Sequence, residues 1–369
     1  MTVIFSANTT WYLYNFRLNT IKKFLSLGFN VHIVAPKDKY TRLLQGIGCE
    51  CHHLFLRSNS LDPFSDAVTI FNLAVLYVKI KPSYIYNFTP KLNIYGAISA
   101  RVLKKTKVIN NIAGLGTGFV EDSIKQSLLK VMYKVSQKKV DIIFFQNDED
   151  MDLFLSQRIV SEGQCERIPG SGVDLARFTI LQDYPKKNED LKFLLVARLI
   201  EHKGIELYAN AANIVKKKWP KVHFDLLGPF VKNNPAGVSE AKIANWEADG
   251  IIKYLGESDD VHSVIKEYDC VVLPSFYREG VPKSLLEAAA SGKIIITTDN
   301  VGCRETVIDG ISGYLCEPRS LSSLVEAIIM VLNLSEDQRN EMKKRARVHA
   351  EEKFDESIVI DKYVKTIDI

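Results

Sequence analysis

The sequence is poor in cysteine and has no long apolar run. Its six cysteines are scattered among 369 residues without Cys-x-x-Cys spacing, which argues against a zinc site or a disulfide framework and favours reduced, buried thiols in the cytosol. The longest apolar runs, such as 73–78, fall far short of the ~18 residues of a spanning helix, and the first residues lack the pattern of a secretory signal. We therefore expect a cytosolic chain that does not cross a membrane.

Composition excludes disordered, collagenous and coiled-coil classes, because 46% of the residues are hydrophobic and 25% are charged. The length suggests two domains at ~100–200 residues each. Charge is unevenly distributed: residues 1–170 carry a net +8, residues 171–369 a net −4, and the first 140 residues alone a net +13. A basic front half indicates an anionic partner, which could be nucleic acid, phospholipid or a phosphorylated substrate.

Short apolar runs alternate with amphipathic stretches, which predicts an α/β fold with parallel sheets. A polar segment at 182–190 looks like a linker. We therefore expect a GT-B-like arrangement of two Rossmann-like domains facing across a cleft, at 1–180 and 190–352, with a helix in 353–369 packing back on the first domain. The predicted strands are 3–6, 31–35, 84–87, 108–111, 142–146, 193–197, 223–227, 270–274 and 294–297. The predicted helices are 16–27, 63–79, 122–139, 204–218, 282–291 and 320–333.

The most informative motif is at residues 275–292. A strand ends at Pro274, a loop carries Glu279-Gly280-Val281, and Pro282 stands where a helix would begin. Glu287 follows Glu279 by eight residues, so that a loop carboxylate and a helix carboxylate could accept hydrogen bonds from a sugar and from a ribose. Free amides at the helix start suit a diphosphate. The spacing alone would fit a capped helix with an exposed glutamate equally well.

Two further segments agree with a nucleotide-sugar site. Arg198 and Lys203-Gly204 stand on a turn between a strand and a helix, where cations can neutralise a leaving diphosphate. Gly302 follows another strand, where a glycine allows close approach of the backbone. On their own, two cations on a turn would usually be solvated.

These motifs resemble the Glu-x7-Glu pattern of retaining GT-B glycosyltransferases, specifically glycosyltransferase family 4. The resemblance implies a UDP-sugar donor, no further cofactor and no metal site. It assigns Glu279, Arg198 and Lys203 to catalysis. The same resemblance assigns the donor to Arg198, Lys203, Glu279, Gly280, Val281, Pro282, Glu287 and Gly302.

Within this family, segments 14–17, 60–64 and 114–116 look like bacterial enzymes that add N-acetylhexosamine to an undecaprenyl-diphosphate-linked sugar. This implies acceptor-binding roles for Arg17, Lys91, Gly114 and Gly116. Arg17 could equally be a helix-surface cation, and the two glycines could simply turn a strand into a loop. The chain departs from the family in lacking a glycine-rich loop after its first strand and a histidine between residues 87 and 120, so a histidine-assisted mechanism is not expected.

Two segments have competing interpretations. Asp148-Glu149-Asp150 could bind a metal as an Asp-x-Asp motif, but its position after a strand favours a helix start, where acidic residues are stabilising. Residues 123–139 predict a helix with an apolar stripe at Ile124, Leu128, Val131 and Val135, bordered by lysines. Such a helix can bind an anionic membrane, or it can pack on the sheet with its lysines solvated.

We expect a retaining, metal-independent transferase that moves an N-acetylhexosamine, most simply GalNAc, from UDP to an undecaprenyl-diphosphate-linked sugar for O-antigen or capsule. It would act peripherally at the cytoplasmic face of the inner membrane. Alternatives are transfer of glucose, galactose or GlcNAc, a UDP-GlcNAc 2-epimerase-like enzyme, and a basic nucleic-acid-binding protein. Against the last, the basic region lacks a recognised nucleic-acid motif.

Overall fold

The computed structural model describes residues 1–56, 62–116, 124–180, 190–231 and 234–368. It divides into two compact units. Unit 1 comprises Met1–Ser171 and Ser357–Ile369, and unit 2 comprises Gly172–Glu356. The predicted linker at 182–190 lies outside the described residues except for Asp190.

Strands and helices alternate along both units. The strands are β1 (Thr2–Ser6), β2 (Asn30–Ala35), β3 (Glu50–His53), β4 (Tyr84–Asn87), β5 (Lys107–Ile112), β6 (Ile142–Phe145), β7 (Cys165–Arg167), β8 (Lys192–Val196), β9 (His223–Leu227), β10 (Lys253–Tyr254), β11 (Cys270–Leu273), β12 (Ile294–Thr298) and β13 (Gly313–Cys316). The α-helices are α1 (Thr10–Ser26), α2 (Tyr40–Gly46), α3 (Pro63–Ile80), α4 (Pro90–Ser99), α5 (Ile124–Ser136), α6 (Asp148–Ser156), α7 (Ile205–Lys218), α8 (Glu240–Ala248), α9 (Val261–Ile265), α10 (Lys283–Ala290), α11 (Leu321–Asn333), α12 (Glu336–Lys353) and α13 (Glu356–Lys365).

Unit 1 is a parallel sheet covered on both faces. Its strand order is β3-β2-β1-β4-β5-β6-β7. On one face, α1, α2 and α13 bury side chains such as Phe24, Leu44 and Tyr363. On the other, α3 to α6 bury Leu73, Phe154 and their neighbours. Two faces of this kind explain why the central strands read as continuous apolar runs.

Unit 2 repeats this plan with the strand order β10-β9-β8-β11-β12-β13. Helices α7 and α11 pack together, as do α10 and α12, and one large apolar cluster joins them to the sheet. The strand order reverses between β8 and β11. Ligands bind at such switch points, outside the carboxyl ends of the strands. The predicted fold class, α/β with two Rossmann-like domains, is confirmed.

Helix α1 begins six residues earlier than the predicted start at Phe16. Thr9 caps it, because the Thr9 hydroxyl accepts a hydrogen bond of 3.0 Å from the backbone N–H of Tyr12. The segment after β1 is therefore a helix start. Several short elements, among them α2, β3, α4 and β7, were not predicted, because their sequences are too short or too polar to show a clear period.

Helix α3 is long and apolar enough to cross a membrane by length and composition, with a mean hydropathy of 1.3 over 18 residues. Polar residues interrupt its apolar sequence, so it contains no long uninterrupted apolar run. One face of α3 belongs to the core of unit 1, where Thr69, Leu73 and Tyr77 are buried. The opposite face is exposed, including Phe64 at 79% and Phe71 at 67% of their full accessible surface.

Candidate active site

The donor motifs lie at the carboxyl ends of three neighbouring strands of unit 2. Arg198 and Lys203 follow β8, Glu279 follows β11, and Gly302 follows β12. Because β8, β11 and β12 are adjacent and parallel, the loops after them leave the sheet at the same edge. The sequence motifs therefore meet in one region.

At the centre of this region is an ion pair between Lys203 and Glu279. The Nζ atom of Lys203 donates to Oε1 of Glu279, and the two side chains are only 13% and 12% exposed. The hydroxyl of Ser275 lies 2.9 Å from the same carboxylate oxygen and 3.1 Å from the carbonyl oxygen of His202. A carboxylate with a cation and a hydroxyl on one oxygen is held in a defined orientation.

Two glycines allow these loops to approach one another. Gly204 has a φ of +75°, and a Cβ there would lie 2.2 Å from the carbonyl oxygen of Pro274. Gly302 has a φ of +76°, and its Cβ would lie 1.4 Å from the carbonyl oxygen of Gly280. Any larger side chain would separate these backbones. The glycines therefore keep the Lys203 turn and the Gly302 loop against the loop that carries Glu279.

Side-chain bonds from β12 tie the loops together further. The hydroxyl of Thr298 donates to the carbonyl oxygen of Ser275, and the amide of Asn300 donates to the carbonyl oxygen of Tyr277 over 2.8 Å. Thr298 is fully buried. Thr298 and Asn300 were not predicted as site residues. Their position at and just after the end of β12 could have indicated such a role, because ligands bind at the carboxyl ends of parallel strands.

Arg198 differs from Lys203 in its surroundings. It is exposed, and within the described part of the chain its guanidinium makes no ion pair and no hydrogen bond. An exposed guanidinium on this edge can reach a ligand without first giving up a partner.

Glu287 lies on the second turn of α10, and its side chain is half-buried. Burial raises the pKa of the Glu287 carboxyl, and the nearby charges of Lys283 and Arg177 oppose that rise. Among the described residues, no hydrogen bond joins it to Glu279. Pro282 precedes the helix as its N-cap and makes no side-chain cap hydrogen bond. Val281 is buried beside it.

In unit 1, Arg17 is buried rather than a surface cation, so the helix-surface alternative is wrong. It is 1% exposed, and within the described residues none of its three guanidinium nitrogens has a hydrogen-bond partner. The guanidinium lies over the rings of Phe88 and Tyr363, at 4.8 and 5.6 Å from their centres. Burying a charge without hydrogen-bond partners is costly, and the two aromatic rings offset part of that cost through cation–π contacts.

A buried polar chain runs across the carboxyl ends of the strands in the same unit. Ser6 donates to Asn87 over 2.6 Å, Asn87 to Asn110 over 2.8 Å, and Asn110 to Gln137 over 2.6 Å. The amide of Asn111 donates to the hydroxyl of Tyr363. Sequence reasoning missed this chain, although polar residues closing several apolar strands were a signal for it.

Of the other predicted acceptor residues, Lys91 lies on α4, and Gly114 and Gly116 follow β5. Lys91 forms an ion pair of 3.0 Å with Asp66 and lies near the ring of Tyr95. Gly114 and Gly116 have φ values of +91° and +60°, which fits a turn after β5. In the predicted motif at 60–64, the first two residues lie outside the described part of the chain.

Asp148 to Asp150 open α6, as the helix-start interpretation expects. Asn147 caps the helix by accepting from the backbone N–H of Asp150 over 2.7 Å. Asp148 forms an ion pair of 2.9 Å with Arg167, and Asp150 is fully buried. These contacts engage both aspartates in structural roles.

Comparison with known proteins identifies the family. The model described as "Glycosyl transferases group 1" matches residues 176–349, and the one described as "Glycosyl transferase 4-like" matches residues 2–147. The chain is built from the two domains of a GT-B glycosyltransferase. Unit 2 carries the group 1 domain, and unit 1 carries the 4-like domain.

Two bacterial relatives are similar over most of this glycosyltransferase. One, from Campylobacter jejuni, is an N,N'-diacetylbacillosaminyl-diphospho-undecaprenol alpha-1,3-N-acetylgalactosaminyltransferase, 28% identical over 96% of this chain and 95% of the relative. The other, from Escherichia coli, is a UDP-Gal:alpha-D-GlcNAc-diphosphoundecaprenol alpha-1,3-galactosyltransferase, 26% identical over 72% of this chain and 70% of the relative. Among solved structures, Anabaena HepE in complex with UDP and glucose is 16% identical, covers 99% of each chain and has a TM-score of 0.79.

Proposed function

We propose that this glycosyltransferase is a retaining, metal-independent enzyme that moves an N-acetylhexosamine, GalNAc in the first instance, from UDP to an undecaprenyl-diphosphate-linked sugar for a bacterial surface polysaccharide. The observation that carries the proposal is the Lys203–Glu279 ion pair, with Ser275 on the same oxygen and Arg198 exposed on the same strand edge. The activities of the two bacterial relatives support the acceptor class.

In the proposed reaction, positive charge replaces a metal ion. The bond from the sugar to UDP breaks, and negative charge develops on the leaving diphosphate. Arg198 and Lys203 stabilise that charge, assisted by the amino end of α10. Glu279, freed from Lys203, lies by the sugar, and Glu287 accepts the ribose hydroxyls. The acceptor hydroxyl attacks the anomeric carbon from the same face from which the leaving group departs. A phosphate oxygen of the donor takes the proton of the acceptor hydroxyl.

The acceptor diphosphate would bind unit 1 at Arg17, with Lys91, Gly114 and Gly116 as further acceptor-binding residues. The buried guanidinium lacks a hydrogen-bond partner among the described residues. An anion that bonds to it supplies the missing acceptors and compensates the charge. A diphosphate is the anion that this acceptor class offers.

We place the enzyme peripherally on the cytoplasmic membrane face through one surface of unit 1. Helices α3 and α5 both pack against α4, and each has an exposed apolar stripe on its outer side. We call this surface the α3–α5 face. Its exposed apolar residues are Phe64, Val68, Phe71, Val75 and Val78 on α3, and Leu128, Val131 and Val135 on α5.

Positive charge borders the α3–α5 face. The exposed side chains of Lys79, Lys104, Lys105, Lys134 and Lys138 lie on or next to these helices, and Lys130 is half-buried. Apolar side chains that enter the lipid boundary, together with lysines that reach anionic headgroups, are the combination that interfacial helices use. Each basic residue near such a surface is worth ~1 kcal/mol. The two helices together form a larger surface than the α5 stripe predicted from sequence.

The leading alternative is the same transfer reaction with a different donor sugar. The Escherichia coli relative transfers galactose, so UDP-hexose donors belong in the same test as UDP-GalNAc and UDP-GlcNAc. A 2-epimerase-like reaction needs only the donor. Nucleic-acid binding would use the same basic unit without either substrate.

The deciding experiment is a donor panel with a synthetic polyprenyl-diphospho-N-acetylhexosamine acceptor. We expect transfer from UDP-GalNAc above all other donors, with the product linkage retaining the donor's α configuration by NMR. Transfer only from UDP-glucose or UDP-galactose would change the sugar assignment. Turnover of UDP-GlcNAc without acceptor would indicate the epimerase, and inversion would contradict the proposed same-face attack.

A further inference from the structure

Three potential metal ligands meet on β2 and the edge strand β3 of unit 1, outside every motif assigned to transfer. His32 stands on β2 directly opposite Glu50, the first residue of the edge strand β3, and His52 stands two residues further along β3. Side chains two residues apart point to the same face of a sheet. The register therefore brings two imidazoles and a carboxylate together.

The three side chains lie close enough together to share one metal ion. Nδ1 of His32 is 2.8 Å from Nε2 of His52, which is a hydrogen-bond distance. The two carboxylate oxygens of Glu50 are 3.7 Å from the His32 nitrogen and 3.4 Å from the His52 nitrogen. The ligands of a tetrahedral zinc ion, bound at ~2.0–2.2 Å, are about 3.3 Å apart. The two separations from Glu50 are near that value, and the two imidazoles would have to move apart by about half an ångström to share an ion.

The charges around the three side chains include one further cation. Lys79 on α3 is the cation that affects His52, and it weakens any cation site there. The carboxylate of Glu50 is 67% exposed and can complete a coordination shell without repacking.

We propose that His32 Nδ1, His52 Nε2 and Glu50 bind a divalent transition-metal ion of the zinc type, with water in the fourth position. The two-histidine, one-carboxylate set excludes Mg²⁺, which prefers oxygen ligands, whereas Zn²⁺, Ni²⁺ and Cu²⁺ bind imidazole well. The ion would fasten the four-residue edge strand β3 to β2. The site is structural and separate from the donor chemistry in unit 2, so it does not depend on the proposed function.

The test is Zn²⁺ binding to untagged full-length protein by calorimetry, with melting temperature as a second readout. We expect one Zn²⁺ per chain and a higher melting temperature with Zn²⁺ but not with Mg²⁺. Glu50→Gln and His52→Asn should each weaken binding by at least the ~10–100-fold that loss of an outer partner costs. Co²⁺ should give the visible absorption of a four-coordinate site in wild type and not in either variant.

Two further variants make the test sharper. His53→Gln is the matched control, because the ring of this neighbouring histidine accepts from the backbone N–H of Lys37 and should not affect Zn²⁺ affinity. Lys79→Gln should tighten binding, since it removes the nearby cation. Wild-type protein that binds no Zn²⁺, or undiminished Zn²⁺ binding by Glu50→Gln and His52→Asn, would overturn the proposal. Because Glu50 is largely exposed, Glu50→Gln should fold normally.

Discussion

The two cations of the predicted donor site in unit 2, Lys203 and Arg198, have different surroundings. Lys203 is almost enclosed and has Glu279 as its partner, whereas Arg198 is exposed. A donor diphosphate would compete with Glu279 for Lys203, while Arg198 would gain a ligand without losing a contact. Removing either cation should therefore affect catalysis in the same direction and stability to different extents.

Replacing Arg198 or Lys203 with alanine should lower kcat by ~10²–10³, the loss expected when a stabiliser of developing charge is removed. Arg198→Ala should leave the melting temperature unchanged, and Lys203→Ala should lower it by a few degrees, because Glu279 loses its cation. Steady-state kinetics and thermal unfolding check both effects. Lys221→Ala, which removes another exposed cation of unit 2, should change neither. Activity within a few-fold of wild type for either active-site variant would contradict the assignment.

Glu287 should show opposite effects on binding and stability. Burial raises the pKa of the Glu287 carboxyl in the folded protein, so folding favours the protonated form. The free energy of unfolding therefore falls as the pH rises from the unfolded pKa of ~4.5 through the raised pKa of the folded state. Glu287→Gln should raise the melting temperature at pH 7.5, by an amount that shrinks toward pH 4.5. It should also raise the KM for the UDP-sugar, because two ribose hydroxyls lose an ionised acceptor. A variant with a lower melting temperature and an unchanged KM would disprove this role.

At the scale of elements, the amino end of α6 explains an acidic triplet without a metal. The cap from Asn147 and the burial of Asp150 are structural. Excess EDTA should therefore leave most transfer activity intact. Asp150→Asn, which keeps a side-chain acceptor for Asn147, should retain kcat within a few-fold. Loss of activity in EDTA with rescue by Mg²⁺ or Mn²⁺ would instead identify the triplet as a metal site.

The α3–α5 face makes a second prediction at this scale. Phe64→Ser with Phe71→Ser, or neutralisation of Lys130, Lys134 and Lys138 to glutamine, should weaken flotation with anionic liposomes. Both sets should lower activity on a long-chain acceptor far more than on a short, water-soluble analogue. Salt should weaken binding, since the screening length falls from ~10 Å at 0.1 M to ~3 Å at 1 M.

The matched control for the membrane prediction lies in unit 2. Ile214→Ser with Met330→Ser also removes exposed apolar side chains from helices, and it should leave flotation unchanged. If the variants of the α3–α5 face float like wild type, then that face does not bind the membrane.

At the scale of the molecule, Ser357–Ile369 belong to unit 1 together with Met1–Ser171, although all of unit 2 lies between them in the sequence. Tyr363 on α13 is fully buried in unit 1, where it packs against Tyr86, Phe88 and Phe144. Unit 1 is therefore built from two segments that are distant in sequence, Met1–Ser171 and Ser357–Ile369. This connection makes the folding of the front unit depend on residues far away in sequence.

Tyr363→Ala should lower the stability of unit 1 by ~3–5 kcal/mol, as large-to-small changes of a buried aromatic do. Tyr363→Phe should cost much less, because it keeps the ring and removes only the hydroxyl that Asn111 contacts. Denaturant unfolding followed by hydrogen exchange in β4 and β6 checks this. Equal stability of the alanine variant and wild type would mean that α13 is not part of the core of unit 1.

The sequence by itself determined the alternation of strands and helices and the class of fold, and it predicted the donor residues of unit 2. Those features are local: apolar periodicity marks elements, and Arg198, Lys203 and Glu279 each belong to a segment that follows a strand. Only the tertiary structure decided the burial of Arg17, the exposed outer side of α3 and the meeting of His32 with His52. Each of these depends on which helix covers which face and on the register between strands. Burial and proximity arise from packing between distant segments, and no short stretch of sequence records them.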